Sequence, residues 1–351
     1  LLRIGGSGRL NQLVVSNGGR VESANAEIGF NASSSNHLVT LTGSNSFWRV
    51  QQTLYLGYSS GGNRLVVSNG AGLHDDNVHI GFFGPNNEVV VTGPGTTWTN
   101  RSGIQLGRFR GHNRLVITNE AFVFAREVYV SLDPNATNNR VVVHGGTLLV
   151  TNSTGVGALD VQRGTNVLNA GLIDVARLWV SNVLGEFEFN GGKLVTSGTG
   201  IGNGRSFIVG NGGSPATFAL RNGTHSFANG LVVSGSGSLI GSGTITGVLN
   251  VQNGGTLSPG ASIGKIALSN SPSLQGLVRM EIAKTGAVLT NDQLQVSGSL
   301  TYGGSLVVTN LGPGPLALGD RFPLFTASTY SGAFTNITLP ALPVTLAWTN
   351  Q

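Results

Sequence analysis

Short aliphatic runs recur along the first half of the chain, each between an Asn and a turn residue. The run "NRLVVSNG" at Asn63–Gly70 is nearly repeated as "NQLVVSNG" at Asn11–Gly18 and "NRLVITNE" at Asn113–Glu120. Looser copies are "NEVVVTG" at Asn87–Gly93 and "NRVVVHGG" at Asn139–Gly146. Because these runs are short, β-branched and bounded by Gly and Asn, they predict strands separated by turns.

A pair of an aliphatic residue and Gly alternates with these runs. Its copies are Ile4-Gly5, Ile28-Gly29, Leu56-Gly57, Ile80-Gly81 and Leu106-Gly107, followed by Val130-Ser131, at spacings of 24, 28, 24, 26 and 24 residues. This period is too short for a propeller blade, which needs about 40–45 residues. The amphipathic helices of helical repeats are missing from the pattern. Each unit of 24–28 residues is therefore interpreted as one coil of a β-solenoid.

The strand faces follow from which residues each position accepts. The middle position holds Val14, Thr40, Val66, Val90, Val116 and Val142. Because Thr is accepted only there, the middle position is predicted to face out and its neighbours to face in. The preceding Asn shares the inward parity, which predicts a ladder of stacked Asn side chains: Asn11, Asn63, Asn87, Asn113 and Asn139. Asn36 is one residue out of register, so the ladder is expected to break at the second coil.

A second, longer period of about two coils places a large aromatic residue in every second coil. Trp48 in "TGSNSFW" and Trp98 in "TGPGTTW" are 50 residues apart. We expect both indoles to fill the core at alternate levels, with the smaller Leu73 between them.

Three segments differ in regularity. Residues 1–155 hold the regular repeats, residues 156–266 keep strands and turns with a looser period, and residues 267–351 form a terminal β region that continues or caps the solenoid. The expected fold is an all-β, right-handed parallel β-helix with coils of about 24–28 residues.

Composition narrows the possible partners. The chain has 351 residues, of which 55 are Gly, none is Cys and 10% are charged, with a net charge of +5. A disulfide framework and cysteine-ligated zinc are excluded. The basic residues are scattered, so no nucleic-acid partner is expected. No apolar run approaches the length of a membrane span, and no signature of a cofactor site is present.

The phrases of the repeat resemble a known class. The alternation of "IG…LVVSNGG" with "VVVTGPGTTWTN" is similar to the passenger repeats of bacterial autotransporters and related surface proteins. The segment "GSGTITGVLNVQNGGTLSPGASIGKIAL" at Gly241–Leu268 resembles the autotransporter-associated strand repeat. The resemblance implies a right-handed parallel β-helix at the bacterial surface or outside the cell. It implies no activity, and the translocator barrel of that family is not expected within this chain.

Two sets of residues are candidates for metal binding or catalysis. The stretch "HDDNVH" brings together a possible metal set, His74, Asp75, Asp76 and His79, although an exposed turn between strands is the favoured interpretation. Glu186 and Glu188 are two residues apart on a strand and could form a carboxylate pair. Asp160 and Asp174 are isolated, and no carboxylate recurs at one aligned position on neighbouring coils. Catalysis is therefore not expected.

Two columns of outward residues are predicted from the register. The residue after the aliphatic–Gly pair is Phe30, Tyr58, Phe82 and then Arg108. This aromatic strip either binds sugar rings or supports itself, with Arg108 over the ring of Phe82. The residue before each aliphatic run builds a charge column of Arg64, Glu88, Arg114 and Arg140, in which Glu88 lies between two Arg residues.

These observations favour a non-catalytic, extracellular structural protein: a rigid rod or a subunit that assembles with itself head to tail into a fibre. The first alternative is an adhesin whose strip or loops bind glycans or host surfaces. The second alternative is a β-helix enzyme acting on polysaccharides.

Overall fold

The computed structural model describes residues 1–211 and 213–350 and is a parallel β-solenoid. The described residues form about 12 turns, with coils of roughly 25 residues and no helix among them, which confirms the predicted fold class. Each coil contributes strands to up to three faces, and each face pairs in parallel with the same face of the next coil. No helix in the described ranges is long and apolar enough to cross a membrane.

The chain divides into two compact units, Leu1–Gly204 and Arg205–Gln351. These units do not coincide with the three segments distinguished by the regularity of the repeat.

Leu1–Gly204 is built from three faces. Face 1 contains Gln12–Val15, Leu38–Thr42, Arg64–Ser68, Glu88–Thr92, Arg114–Thr118 and Glu186–Phe189. Face 2 contains Arg20–Ser23, Phe47–Val50 and Phe122–Ala125, and face 3 contains Leu2–Ile4, Ala26–Ile28, Thr53–Leu56, Glu127–Val130 and Ala158–Val161. Strands that turn a corner and serve two or three faces are Gly72–Ile80, Thr97–Leu106, Arg140–Val150, Thr165–Val180 and Gly192–Ile201.

Arg205–Gln351 repeats this arrangement with shorter strands. One six-stranded sheet contains Phe207–Val209, Leu231–Val233, Leu249–Val251, Ser273–Leu274, Ser299–Tyr302 and Thr329–Gly332. The other strands are Ala216–Phe227, Gly237–Thr246, Thr256–Pro259, Lys265–Leu268, Leu277–Thr285, Val288–Asn291, Gln293–Val296, Ser305–Asn310, Phe325–Thr326 and Asn336–Thr338. Val288–Asn291 is antiparallel to Leu277–Thr285 and forms a hairpin on the coil.

Four strands of face 1, Leu38–Thr42, Arg64–Ser68, Glu88–Thr92 and Arg114–Thr118, have the predicted parity, whereas Val142, predicted to face out, is only 8% exposed. Val66 pairs with Thr40 on one side and Val90 on the other, in direct register. Leu65 and Val67 are fully buried, whereas Val66 is half-buried on the outer surface. Stacking in register buries an aliphatic residue against its counterparts above and below, which is why the same letters return in each coil.

The core alternates large and small side chains as predicted. Leu73 pairs with Trp48 below and Trp98 above, and all three side chains have no exposed surface. Two indoles on adjacent coils would compete for the same volume, so the Leu between them allows close packing.

Asn-Gly pairs form the corners that follow two face 1 strands, Gln12–Val15 and Arg64–Ser68. Asn17 and Gly18 have φ values of 53° and 76°, and Asn69 and Gly70 have values of 53° and 80°. Asn and Gly tolerate this left-handed conformation at the lowest cost. The recurring "SNG" therefore encodes a turn that aims the chain onto face 2.

The parity predicts opposite outcomes for two adjacent substitutions. Val67→Asp puts an unpaired carboxylate into the core and should lower the free energy of unfolding by about 3–5 kcal/mol. Val66→Asp leaves the carboxylate in water and should cost about 1 kcal/mol. Urea denaturation of both variants measures the difference. Equal losses would contradict the assigned faces.

Candidate functional site

Buried Asn side chains join adjacent coils at the corner before face 1. Asn87 Oδ1 accepts hydrogen bonds from the backbone N–H and the Nδ2 of Asn63, at 3.1 and 2.8 Å. Asn87 Nδ2 donates to the carbonyl oxygen of Gly84 at 2.8 Å. One amide side chain therefore provides hydrogen-bond partners for polar groups of the coil before it and for a carbonyl group of its own turn.

The same geometry repeats along the ladder. Asn113 Oδ1 accepts from the N–H and Nδ2 of Asn87 at 2.9 and 3.0 Å, and Asn139 Oδ1 accepts from those of Asn113 at 2.8 and 3.0 Å. Asn63, Asn87, Asn113 and Asn139 are at most 1% exposed. In this low-dielectric setting each hydrogen bond is strengthened, and each unpaired group would be costly.

Each ladder amide lies in the space that a side chain would fill if a Gly of the preceding coil were replaced by a larger residue. A Cβ on Gly57 would come within 2.2 Å of Asn87 Nδ2, one on Gly81 within 2.1 Å of Asn113 Nδ2, and one on Gly107 within 1.9 Å of Asn139 Nδ2. These three glycines have φ between +72° and +77°. The Gly of the aliphatic–Gly pair thus forms a slot for the Asn of the next coil, a link between the two repeat anchors that the sequence pattern did not reveal.

The expected break in the ladder at the second coil does not occur, because His37 replaces Asn there. His37 is 1% exposed, its Nδ1 accepts the backbone N–H of Asn11 at 3.1 Å, and its Nε2 lies 2.9 Å from Ser34 Oγ. Asn36 instead adopts φ 60° in the turn. Burial lowers the pKa of the His37 imidazole below its usual value.

Asn11 departs from the predicted inward position. Its side chain is exposed, although Nδ2 lies 3.3 Å from His37 Nδ1. The strand that follows Asn11, Gln12–Val15, pairs with Leu38–Thr42 on one side. In the described ranges no second coil covers the corner, so the amide remains at the surface.

The residues of the aromatic strip stack on one another. Ring centroids of Phe30 and Tyr58 are 5.3 Å apart and those of Tyr58 and Phe82 are 5.5 Å apart, with interplanar angles of 22° and 24°. The guanidinium of Arg3 covers Phe30 at 3.7 Å from the ring centroid. The ring faces that a sugar would need are therefore occupied by neighbouring side chains along much of the strip.

The placement predicted for Arg108 over Phe82 is wrong. Arg108 lies over Phe109, with its guanidinium carbon 5.3 Å from the ring centroid. Phe109 packs edge-on against Phe82 and stacks on Phe83 at 5.0 Å. Phe109 thus occupies the position beside Phe82 that was predicted for Arg108, and the guanidinium of Arg108 packs on Phe109 instead.

Four rings that the repeat pattern did not reveal widen this cluster: Tyr55, His79, Phe83 and Phe109. Tyr55 and His79 are in register on face 3 and stack at 5.0 Å with an interplanar angle of 9°. Burial and, to a smaller extent, the nearby Arg108 lower the pKa of His79 to about 4. Tyr55 and His79 each lie between two buried aliphatic residues of their strands. This alternation was the signal that could have identified them, because outward side chains in register on adjacent strands contact each other.

The charge column is partly continuous. Glu88 Oε2 lies 2.9 Å from Arg64 Nε, and its Oε1 lies 3.8 Å from Arg114 Nη1. Arg140 is in register with Arg114, but its Nη2 bonds Glu188 Oε1 at 3.1 Å. Glu188, half of the candidate carboxylate pair, thus acts as an ion-pair partner. Pairs this exposed contribute little to stability and mainly favour one register.

The "HDDNVH" stretch is neither a metal set nor an exposed turn. It lies within the strand Gly72–Ile80, where Asp75 points into the core while His74 and His79 point out. Asp75 Oδ2 accepts from Trp98 Nε1 at 2.5 Å, and its Oδ1 accepts from Asn100. Burial raises the pKa of Asp75 to about 7 although both oxygens face donors. Among the described residues no group of three His, Cys, Asp or Glu could hold a metal ion.

Comparisons with protein-family models, with curated proteins and with solved structures gave no match to the chain. The chemistry that could carry a function is therefore that of the coils themselves. That chemistry consists of an amide ladder, a ring stack and ion pairs, each of which joins one coil to another.

The contact in the slot predicts that substitutions at Gly81 and Asn113 have strongly coupled effects on the free energy of unfolding. Gly81→Ala should be destabilising through backbone strain at φ +77° and the clash with the amide. Asn113→Ala should cost about 1–3 kcal/mol by leaving the donors of Asn87 unpaired. Combining them removes the clash, so the double variant should lose at least about 1 kcal/mol less than the sum. Free energies of unfolding that add within about 0.5 kcal/mol would contradict the slot.

The burial of His37 predicts that the ladder is sensitive to acid at the second coil. Because its folded pKa lies below the unfolded value of about 6.5, its contribution is present above that pH and is lost as the pH falls through the folded pKa. His37→Asn restores the side chain of the other rungs, which does not titrate. Between pH 7 and pH 5 the wild type should lose more stability than the variant, measured by urea denaturation. Parallel losses would show that the pKa of this imidazole is the same in the folded and unfolded chain, which would contradict its burial.

Proposed function

We propose that this chain is a non-catalytic structural protein, a β-solenoid displayed outside a bacterial cell. The observation that carries the proposal is the use of potential ligand-binding side chains as contacts between coils. Buried amides bind the backbone of the coil before them, the predicted aromatic strip stacks on itself, and acidic side chains pair with Arg or bond core donors.

The environments of the carboxylates support a structural rather than a catalytic role. Glycoside hydrolysis needs two carboxyl groups flanking one bond, separated by about 5–9.5 Å. Glu88 and Glu188 pair with Arg side chains, and Asp75 is buried against Trp98 and Asn100. Each of these carboxylates therefore already has a partner within the coils.

Composition and resemblance support the extracellular location. A surface of Ser, Thr, Asn and Gly with only 10% charged residues and no Cys suits a repetitive protein exposed to the environment. The likeness of the repeat phrases to autotransporter passengers points the same way, and we propose a passenger-like surface protein.

Self-association is the partner we propose. The coils that carry Gly57, Gly81 and Gly107 present to the next coil the same strand edge, Gly slot and aliphatic face, so such a coil of one copy is chemically suited to a coil of another. A contact between two different surfaces of the same chain propagates head to tail into a fibre. Low surface charge assists, because repulsion between copies is weak.

Sedimentation velocity and electron microscopy of the purified chain test this role. We expect species that grow along one direction as concentration rises over a hundredfold range, because each added copy recreates the same docking edge. A monomer at every concentration would rule out the fibre. Release of reducing ends from a soluble polysaccharide would separately rule out a non-catalytic protein.

A further inference from the structure

An exposed indole on face 3 differs from the stacked rings of the aromatic strip. Trp179 is 38% exposed and pairs in register with Gly200 of the next coil. A Cβ on Gly200 would come within 2.1 Å of Trp179 Cζ3 and 2.2 Å of its Cε3. The six-membered ring thus occupies the space that a side chain would take, and the indole leans across the neighbouring strand. This position leaves part of the aromatic surface open to solvent.

Polar groups flank this indole on its own strand and on the preceding coil. Arg177, two residues earlier and on the same side, is exposed, and no ion pair to it occurs among the described residues. Asp160 is in register with Trp179, so the two Cα atoms are about 4.8 Å apart. Asp160 Oδ2 accepts from Gln162 Nε2 at 3.0 Å, while its buried Oδ1 has no partner within the described part of the chain.

We propose that Trp179, Arg177 and Asp160 form a subsite for a neutral pyranose ring of a polysaccharide. The open indole surface supplies the electron-rich platform that polarised C–H groups of a sugar prefer. Arg177 donates hydrogen bonds and the half-buried Asp160 accepts them at Oδ2, since its Oδ1 is buried, which matches hydroxyl groups that do both. Their charges cancel, so a neutral sugar fits better than a uronic acid. This inference is independent of the proposed structural role.

The size of the site favours a sugar over a protein partner. A stable protein interface buries about 800 Å² on each side around several apolar anchors. Here a single aromatic platform is bordered by charged and amide groups and by the small residues Gly198 and Gly200. An aromatic platform with a few convergent polar groups is typical of a small-molecule site.

Affinity electrophoresis of the full chain provides the test. Native gels contain mixed-linkage β-glucan, xyloglucan or galactomannan as neutral probes and polygalacturonate as an acidic probe. We expect at least one neutral polysaccharide to retard the protein and Trp179→Ala to raise its apparent Kd about tenfold or more. Phe83→Ala is the matched control, because it removes another exposed ring of the same unit, 45% exposed.

A second variant separates loss of the platform from loss of folding. Gly200→Ala keeps the indole but places a methyl group where its six-membered ring lies, so the ring must move, while the backbone accepts the methyl group because Gly200 is not in the left-handed region. We expect weakened retardation by the same polysaccharide, with a melting transition as cooperative as that of the wild type. The proposal is overturned if no neutral probe retards the protein, if only polygalacturonate does, or if Trp179→Ala is retarded like the wild type or like Phe83→Ala.

Discussion

A buried primary amide that must find partners for all its polar atoms is the constraint on which this solenoid depends. The Asn of each rung reaches the backbone of the coil before it and the carbonyl groups of its own turn. It can do so only where the aliphatic–Gly pair leaves a slot. Hydrophobic burial alone allows coils to slide by one residue pair, whereas an amide in a slot has one satisfied position.

Once this corner is set, the outer surface follows from the register. The stack of Phe30, Tyr58 and Phe82 and the ion pairs of Glu88 arise because equivalent positions lie one strand apart. These contacts are individually weak, and their number reflects repetition. In contrast, Asp75 is a polar group within the core that satisfies Trp98 at the cost of a raised pKa, whereas the Nε1 of Trp48 has no partner within the described ranges.

The regular features could be predicted from the sequence because periodicity carries them. The coil length, the inward parity of Leu65 and Val67 and the alternate levels of Trp48 and Trp98 all follow from spacing. Corners could not be predicted in the same way. The pattern did not show that Gly81 and Asn113 meet, that His37 fills a rung, or that Asp75 turns inward. Such contacts depend on how the chain bends between faces, and the side-chain period of two is interrupted there.

The division of each slot between two coils also affects how such a chain can change its length. The Gly lies on one coil and the Asn about 30 residues later on the next, as in Gly57 and Asn87. Duplicating or deleting one whole coil brings another Gly opposite another Asn, so the new junction is chemically the same as the old one. A gain or loss of part of a coil separates the two halves and leaves a buried amide without its slot. The alternation of Trp48 and Trp98 with Leu73 adds a second condition, because loss of the coil between them would bring two indoles together. Unequal recombination would therefore be tolerated best in steps of two coils, and the gene could lengthen or shorten in such steps without redesign of the core.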